Sequence, residues 1–110
     1  MRYFETRYGA GVGMEEVRLA DYQEPLWAAA FGVESLDLLF DQEIPARAIP
    51  IFDAAIDRFN HDPESLRHLL DPADRRGLSG NRRVFEQMRA TLADHADASI
   101  SGLIDSELGD

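Results

Sequence analysis

The sequence predicts a mainly α fold: a compact single-domain bundle of about five short helices, with an N-terminal β-hairpin as a candidate addition. Three observations carry this expectation. Apolar residues recur at three- and four-residue intervals over Ile49, Phe52, Ile56 and Phe59, and again over Phe85, Met88 and Leu92, which lines one side of a helix. Cap-and-proline signals stand at Glu24-Pro25 and Asp62-Pro63. At 110 residues the chain is long enough for one domain and too short for two. We read it as one unit, 1–110, with 24–108 as the helical core.

Residues 1–23 read differently. Arg2 to Tyr8 is rich in strand-favouring types, Gly9-Ala10-Gly11-Val12-Gly13 is a flexible turn, and Glu16-Val17-Arg18-Leu19 alternates polar and apolar residues. A hairpin that sets Phe4 against Leu19 and Thr6 against Val17 also sets Glu5 against Arg18 and Arg7 against Glu16, matching both faces. An extended arm leading into a helix from Met14 to Tyr22 is the rival, and the hairpin is favoured.

The helices follow in order. Pro25 suits a first helical position and Gly32 a C-terminal cap, and Leu26 to Phe31 is apolar all round, as in a short buried helix. Ser35 can cap a second helix from Leu36 to about Gln42, with Leu36, Leu39 and Phe40 inward. Pro45 and Pro50 bracket a turn or kink, after which a third helix runs to Phe59. The fourth starts at Asp62-Pro63, carries Leu66, Leu69 and Leu70, and stops at Asp71-Pro72. A polar link, Ala73 to Gly80, precedes the fifth, whose inner face is Phe85, Met88, Leu92 and Ala96. Ile100, Leu103 and Ile104 predict a short amphipathic tail helix.

Composition excludes much chemistry. All eleven basic residues are Arg, and both Lys and Cys are absent. Disulfides, thiolate nucleophiles, cysteine-bound metals, Schiff-base lysines and P-loops are therefore ruled out. Against 21 acidic residues the net charge is -10, which opposes nucleic-acid phosphates and anionic membranes and favours a basic partner. The longest uncharged apolar stretch, Pro25 to Val33, is far short of a membrane span, and the N-terminus lacks a leader-like apolar run. A soluble, cytoplasmic protein is expected.

No catalytic constellation stands out. The Gly9–Gly13 run lacks nucleotide-loop spacing. Glu64, His68 and Asp71 have metal-compatible spacing, but His61 lies before the helix start and an ordinary ion pair is the favoured reading. His95, beside Asp94 and Asp97, suits a partly buried, hydrogen-bonded position. Ser35, Ser65, Ser79, Ser99, Ser101 and Ser106 sit at expected caps, turns or the tail without GxSxG context. No enzyme, metal or cofactor is expected, and a small enzyme using His68 with Glu64 ranks last.

Two charge features are more specific. Glu34, Asp37 and Asp41 fall on one face of the expected second helix, with Glu43 nearby, and Asp53 and Asp57 repeat the spacing on the outer face of the third. Like charges at this spacing cost roughly 0.2–0.5 kcal/mol per pair, a repulsion that a cationic partner relieves. These six residues are the candidate partner-binding set. In the basic stretch 75–89, Arg75, Arg76, Arg82 and Arg83 flank a Gly/Ser loop at an expected helix N-terminus and form a candidate anion site, although pairing with the chain's own acids is favoured. The expected function is a small acidic inhibitor, immunity- or antitoxin-like, that neutralises a basic protein partner such as a toxic nuclease. The alternative is a homodimeric regulatory or assembly module with Trp27, Phe31, Leu103 or Ile104 at its seam.

Overall fold

The structure, a computed structural model, describes residues 1–105, without the side chain of Leu38. The positions 106–108 of the expected helical core, and Ser106 with them, lie outside the described residues. The hairpin is present: β1 (Arg2–Tyr8) runs antiparallel to β2 (Gly13–Leu19). A 3-10 turn at Asp21–Gln23 leads into α1 (Glu24–Phe31), and a second at Leu36–Leu38 into β3 (Phe40–Glu43). Three helices follow, α2 (Pro45–His61), α3 (Glu64–Arg67) and α4 (Gly77–Asp94), and then β4 (Ser99–Asp105). The strands form one antiparallel sheet of order β2-β1-β4-β3.

This is a mixed α/β architecture, not the mainly helical bundle expected. Two segments account for the difference. The expected tail helix is β4, paired with β1 and β3. In Ser99-Ile100-Ser101-Gly102 the period is two: Ile100 and Gly102 are buried while Ser99 and Ser101 are partly exposed, which is a strand pattern too short to separate from a helical one by spacing alone. The expected helix from Leu36 to Gln42 stops after one turn. Ser35 does cap it, its Oγ accepting from Asp37 N at 3.2 Å. The chain then extends: Phe40 pairs with Gly102 and Glu43 with Ile100. Gln42 takes a left-handed φ of 52°, and its N–H donates to Ser101 Oγ at 3.0 Å.

The hairpin register also differs, slipped by two residues. Phe4 faces Val17 and Arg2 faces Leu19. A two-residue slip keeps every side chain on its expected face. The turn sets the register: Gly9, Ala10 and Gly11 all have positive φ, so the loop closes directly after the Tyr8–Gly13 pair. Gly13 is needed there because the Tyr8 ring covers it; a Cβ would lie 2.1 Å from the ring. Glu5 then faces Glu16, and each carboxylate is neutralised along its own strand, by Arg7 at 2.6 Å and Arg18 at 2.7 Å.

The helix boundaries shift as well. α2 begins at Pro45, its first-turn proline, so Pro50 sits inside the helix rather than before it. Its buried face is Ala48, Phe52, Ala55 and Phe59, with Ile49 and Ile56 at the flanks. α4 begins at Gly77, inside the segment expected to be a link, and buries Phe85, Met88 and Leu92; Ala96 lies past its end and is exposed. α1 ends as expected at Gly32, left-handed at φ 75°. Arg58 on α2 reaches its last carbonyls, Ala29 O at 3.0 Å and Ala30 O at 2.7 Å, where a cation complements the helix dipole.

The core is aromatic. Phe4 of β1 stacks on Trp27 of α1 at 5.7 Å between ring centroids, Phe31 meets Phe85 at 4.8 Å, and Phe40 stacks on Phe52 at 5.5 Å. One buried polar line crosses it. Trp27 Nε1 donates to Asn81 Oδ1 at 2.9 Å, and Asn81 Nδ2 donates to Asp74 Oδ2 at 3.0 Å and Gly77 O at 2.8 Å. This line ties α1 to the start of α4.

Two substitutions test this arrangement. Gly102 has φ 157°, and a Cβ there would lie 2.4 Å from Phe4 Cδ1. Phe4 is itself only 1% exposed, so it has nowhere to move. Gly102→Ala is expected to lose about 1–3 kcal/mol in thermal or urea denaturation. Asn81→Ala strands the Trp27 N–H and is expected to cost about 1–3 kcal/mol by the same measurement.

Candidate functional site

The charged residues gather where the sheet ends. Arg2 begins β1, between Leu19 at the end of β2 and Asp105 at the end of β4. Its guanidinium donates from Nε to Glu24 Oε2 at 3.1 Å and also bonds Glu24 Oε1 and Asp37 Oδ1; Asp105 Oδ1 lies 3.9 Å away. Glu24 is in place because it opens α1, where a carboxylate suits the helix N-terminus. Asp37 is in place because Ser35 caps the 3-10 turn around it.

Two shallow clefts flank this centre. One, of about 360 Å³, is lined by Arg2, Asp21, Glu24, Glu34 and Ser35 among others. The other, of about 470 Å³, is lined by Asp37, Phe40, Asp41 and Gly102 to Ile104. The result is an acidic corner in which Glu24, Asp37 and Asp105 share one arginine, with Asp21 and Glu34 in the first cleft and Asp41 in the second. Asp21, Glu34 and Asp41 have no cation within salt-bridge distance among the described residues. The Ser35 hydroxyl and then the Arg2 guanidinium hold the Asp37 carboxyl below its ordinary value. The Arg2 guanidinium is pushed up, first by its bond to Glu24.

The expected partner-binding residues separate into two groups. Asp37 and Asp41 line one cleft and Glu34 the other, placed by a turn and a strand rather than on a helix face. Glu43 ends β3, half-buried. Asp53 and Asp57 lie on α2 and are paired within the chain, Asp53 with Arg89 at 2.5 Å and Asp57 with His61 at 2.7 Å. Arg2, Asp21, Glu24 and Asp105 are corner residues that spacing along the chain does not connect; the hint was the charge of the first strand itself.

The basic stretch is spread over a loop and a helix. Because α4 begins at Gly77, Arg82 and Arg83 lie within it rather than at its N-terminus. Arg82 pairs with Glu86 at 3.3 Å and donates to Asn60 Oδ1 at 3.3 Å. Arg82 also lines a cleft of about 530 Å³ with Arg67, Ser79 and Gly77. Arg75 and Arg76 precede the helix, the Arg76 N–H donating to Asp74 Oδ1 at 3.0 Å.

The histidines are dispersed. Glu64 pairs with Arg67 at 3.0 Å, and His68 beside it is exposed. His95 is half-buried and stacks on Tyr8 at 3.9 Å. Among the described residues no cluster of three or more His, Asp or Glu side chains is placed to hold a metal. Nor, among the described residues, is any helix long and apolar enough to cross a membrane. No protein-family model, curated protein or solved structure matches the chain.

One carboxylate outside the corner links the hairpin loop to the turn between α4 and β4. Asp97 accepts from the Ala10 N–H at 2.8 Å, and bonds from Ala10 and Gly9 lower its proton affinity. Its folded-state value is depressed, so its stabilisation is complete above the unfolded carboxylate value of about 3.9 and is lost as pH falls through the lower folded value. Asp97→Ala should therefore be less stable than the parent near neutrality, and the gap should close as denaturation curves are taken into acid below that value.

Proposed function

We propose that the chain is a small acidic binding protein that docks a basic protein partner against the corner around Arg2, and that it works as an immunity- or antitoxin-type inhibitor. The supporting observation is the imbalance at that corner: Glu24, Asp37 and Asp105 share one guanidinium, while Asp21, Glu34 and Asp41 line the two flanking clefts without a salt bridge among the described residues. Carboxylates held at fixed positions by a strand end, a helix N-terminus and a capped turn can stand in for the phosphates that a nuclease active site binds.

Recognition then proceeds in two stages. The net charge of -10 draws a cationic surface in through long-range steering. At contact, arginines or lysines of the partner settle against Asp21, Glu34 and Asp41 and compete with Arg2 for Asp37. Asp37 is 52% exposed at its side chain, so its bond to Arg2 is solvent-screened and contributes little to holding the fold. Arg2 offsets part of the corner's repulsion but leaves it a net acceptor of positive charge.

The partner is to be captured from the native host and identified by mass spectrometry, and the complex then measured by stopped-flow mixing at several salt concentrations. Asp37→Arg with Asp41→Arg should slow association about tenfold or more at low salt and flatten the salt dependence. The same reversal at Asp53, already engaged by Arg89, should change both far less. Equal effects at the two places would reject the corner as the docking surface.

A further inference from the structure

We propose that β2 is also an interface between two copies of this chain, paired antiparallel about a two-fold axis at Val17. β2 is a seven-residue edge strand: β1 hydrogen-bonds one side of it, and no strand covers the other among the described residues. An edge of this length is a template for another strand unless its side chains forbid it. Here the side chains select one register. A two-fold axis normal to the sheet keeps each side chain on its own face, so residues of the same parity must oppose each other.

Centred on Val17, the exposed face sets Glu16 against Arg18 of the second copy, Arg18 against Glu16, and Met14 against Ala20. On the helix-facing side Val17 meets its own equivalent and Glu15 meets Leu19. Centring on Glu16 or Glu15 instead opposes like carboxylates, and centring on Arg18 opposes two guanidiniums; such pairs are unfavourable directly across strands, and Glu16 already faces one carboxylate, Glu5, on its other side. The order Met14, Glu16, Arg18, Ala20 is therefore complementary to itself in the Val17-centred register.

The exposed surface fits this use. Met14 is 49% exposed, and Glu16 and Arg18 are exposed as well. Glu16 and Arg18 already pair at 2.7 Å within one strand, so the two copies need only exchange partners. Ala20 continues the strand's extended backbone, at φ -73° and ψ 155°. Self-repulsion is contained by distance. Asp21, the acid of the corner nearest to this edge in sequence, lies four residues from the axis. At about 3.4 Å per residue the two copies of it stand roughly 27 Å apart, about three screening lengths at physiological ionic strength.

The test is the oligomeric state by sedimentation equilibrium from micromolar to millimolar protein, with far-UV circular dichroism confirming the fold of each variant. The parent should dimerise as concentration rises, and β2 amides should exchange hydrogen more slowly in the dimer. E16R and R18E, each opposing like charges, should remain folded monomers, and the E16R/R18E double variant should regain the dimer. A parent that stays monomeric throughout, single variants that dimerise as the parent does, or a double variant that stays monomeric would each overturn the proposal. The partner-binding test above uses residues outside β2, so either can fail without the other.

Discussion

Phe4 is the residue on which sheet and helices depend together. It leaves β1 through the inner face of the sheet, lies across Gly102 of β4, and stacks on Trp27 while its edge meets Phe40 at 6.0 Å. Trp27 in turn reaches Asn81 and through it the start of α4. One apolar contact and one short polar line thus fix the angle between the layers. The polar line works only when complete. A buried indole N–H with no acceptor costs about as much as several surface contacts supply, so Asn81 and Asp74 specify where α4 begins even though Gly77 and Ser79 are poor helix formers.

That geometry places the charges. β1 starts at Arg2 because Phe4 must reach Trp27, and Arg2 then falls where β2 and β4 end and α1 begins. The carboxylates it meets come from separate parts of the chain, and their repulsion is tolerated because a single guanidinium touches several of them. Elsewhere several acids are balanced pairwise, Glu5 by Arg7, Glu16 by Arg18, Asp53 by Arg89 and Glu86 by Arg82, while others such as Glu43, Asp62, Asp71 and Asp94 stand singly without a salt bridge among the described residues. The corner differs in that three acids share one guanidinium there, with further acids lining the clefts beside it.

Much of this was legible in the sequence wherever a pattern is long. α2 and α4 announce themselves through Phe52, Phe59, Phe85 and Leu92, and α1 through Pro25 and Gly32. The hairpin was legible from alternation, although not its register, since that depends on Gly13 yielding space to the Tyr8 ring. Short segments misled. Leu36, Leu39 and Phe40 fit a helix stripe as well as a turn followed by a strand, and Ile100, Leu103 and Ile104 fit a helix as well as β4. In both segments long-range strand pairing overrode local pattern. The charged site suffered accordingly: Glu34 lines one cleft and Asp37 and Asp41 the other, and the further acids at the corner, Asp21, Glu24 and Asp105, are joined to them only by the fold.

The two charge features stand in different relations to the fold, and this bears on how they can coexist. The β2 edge presents alternating signs, which cancel at a distance and act only at contact. The corner presents one sign, which acts at a distance and is indifferent to register. A strand with the first property can pair with its own kind despite a net charge of -10, because the field that repels two copies is screened beyond about 8 Å while the cross-strand contacts form well inside that range. A surface with the second property cannot pair with itself at all. Dimerisation through β2 and recognition through the corner are thus separable by physics as well as by position. A two-fold axis at Val17 sets the two corners at opposite ends of the joined sheet, so that the proposed partner could reach each of them separately.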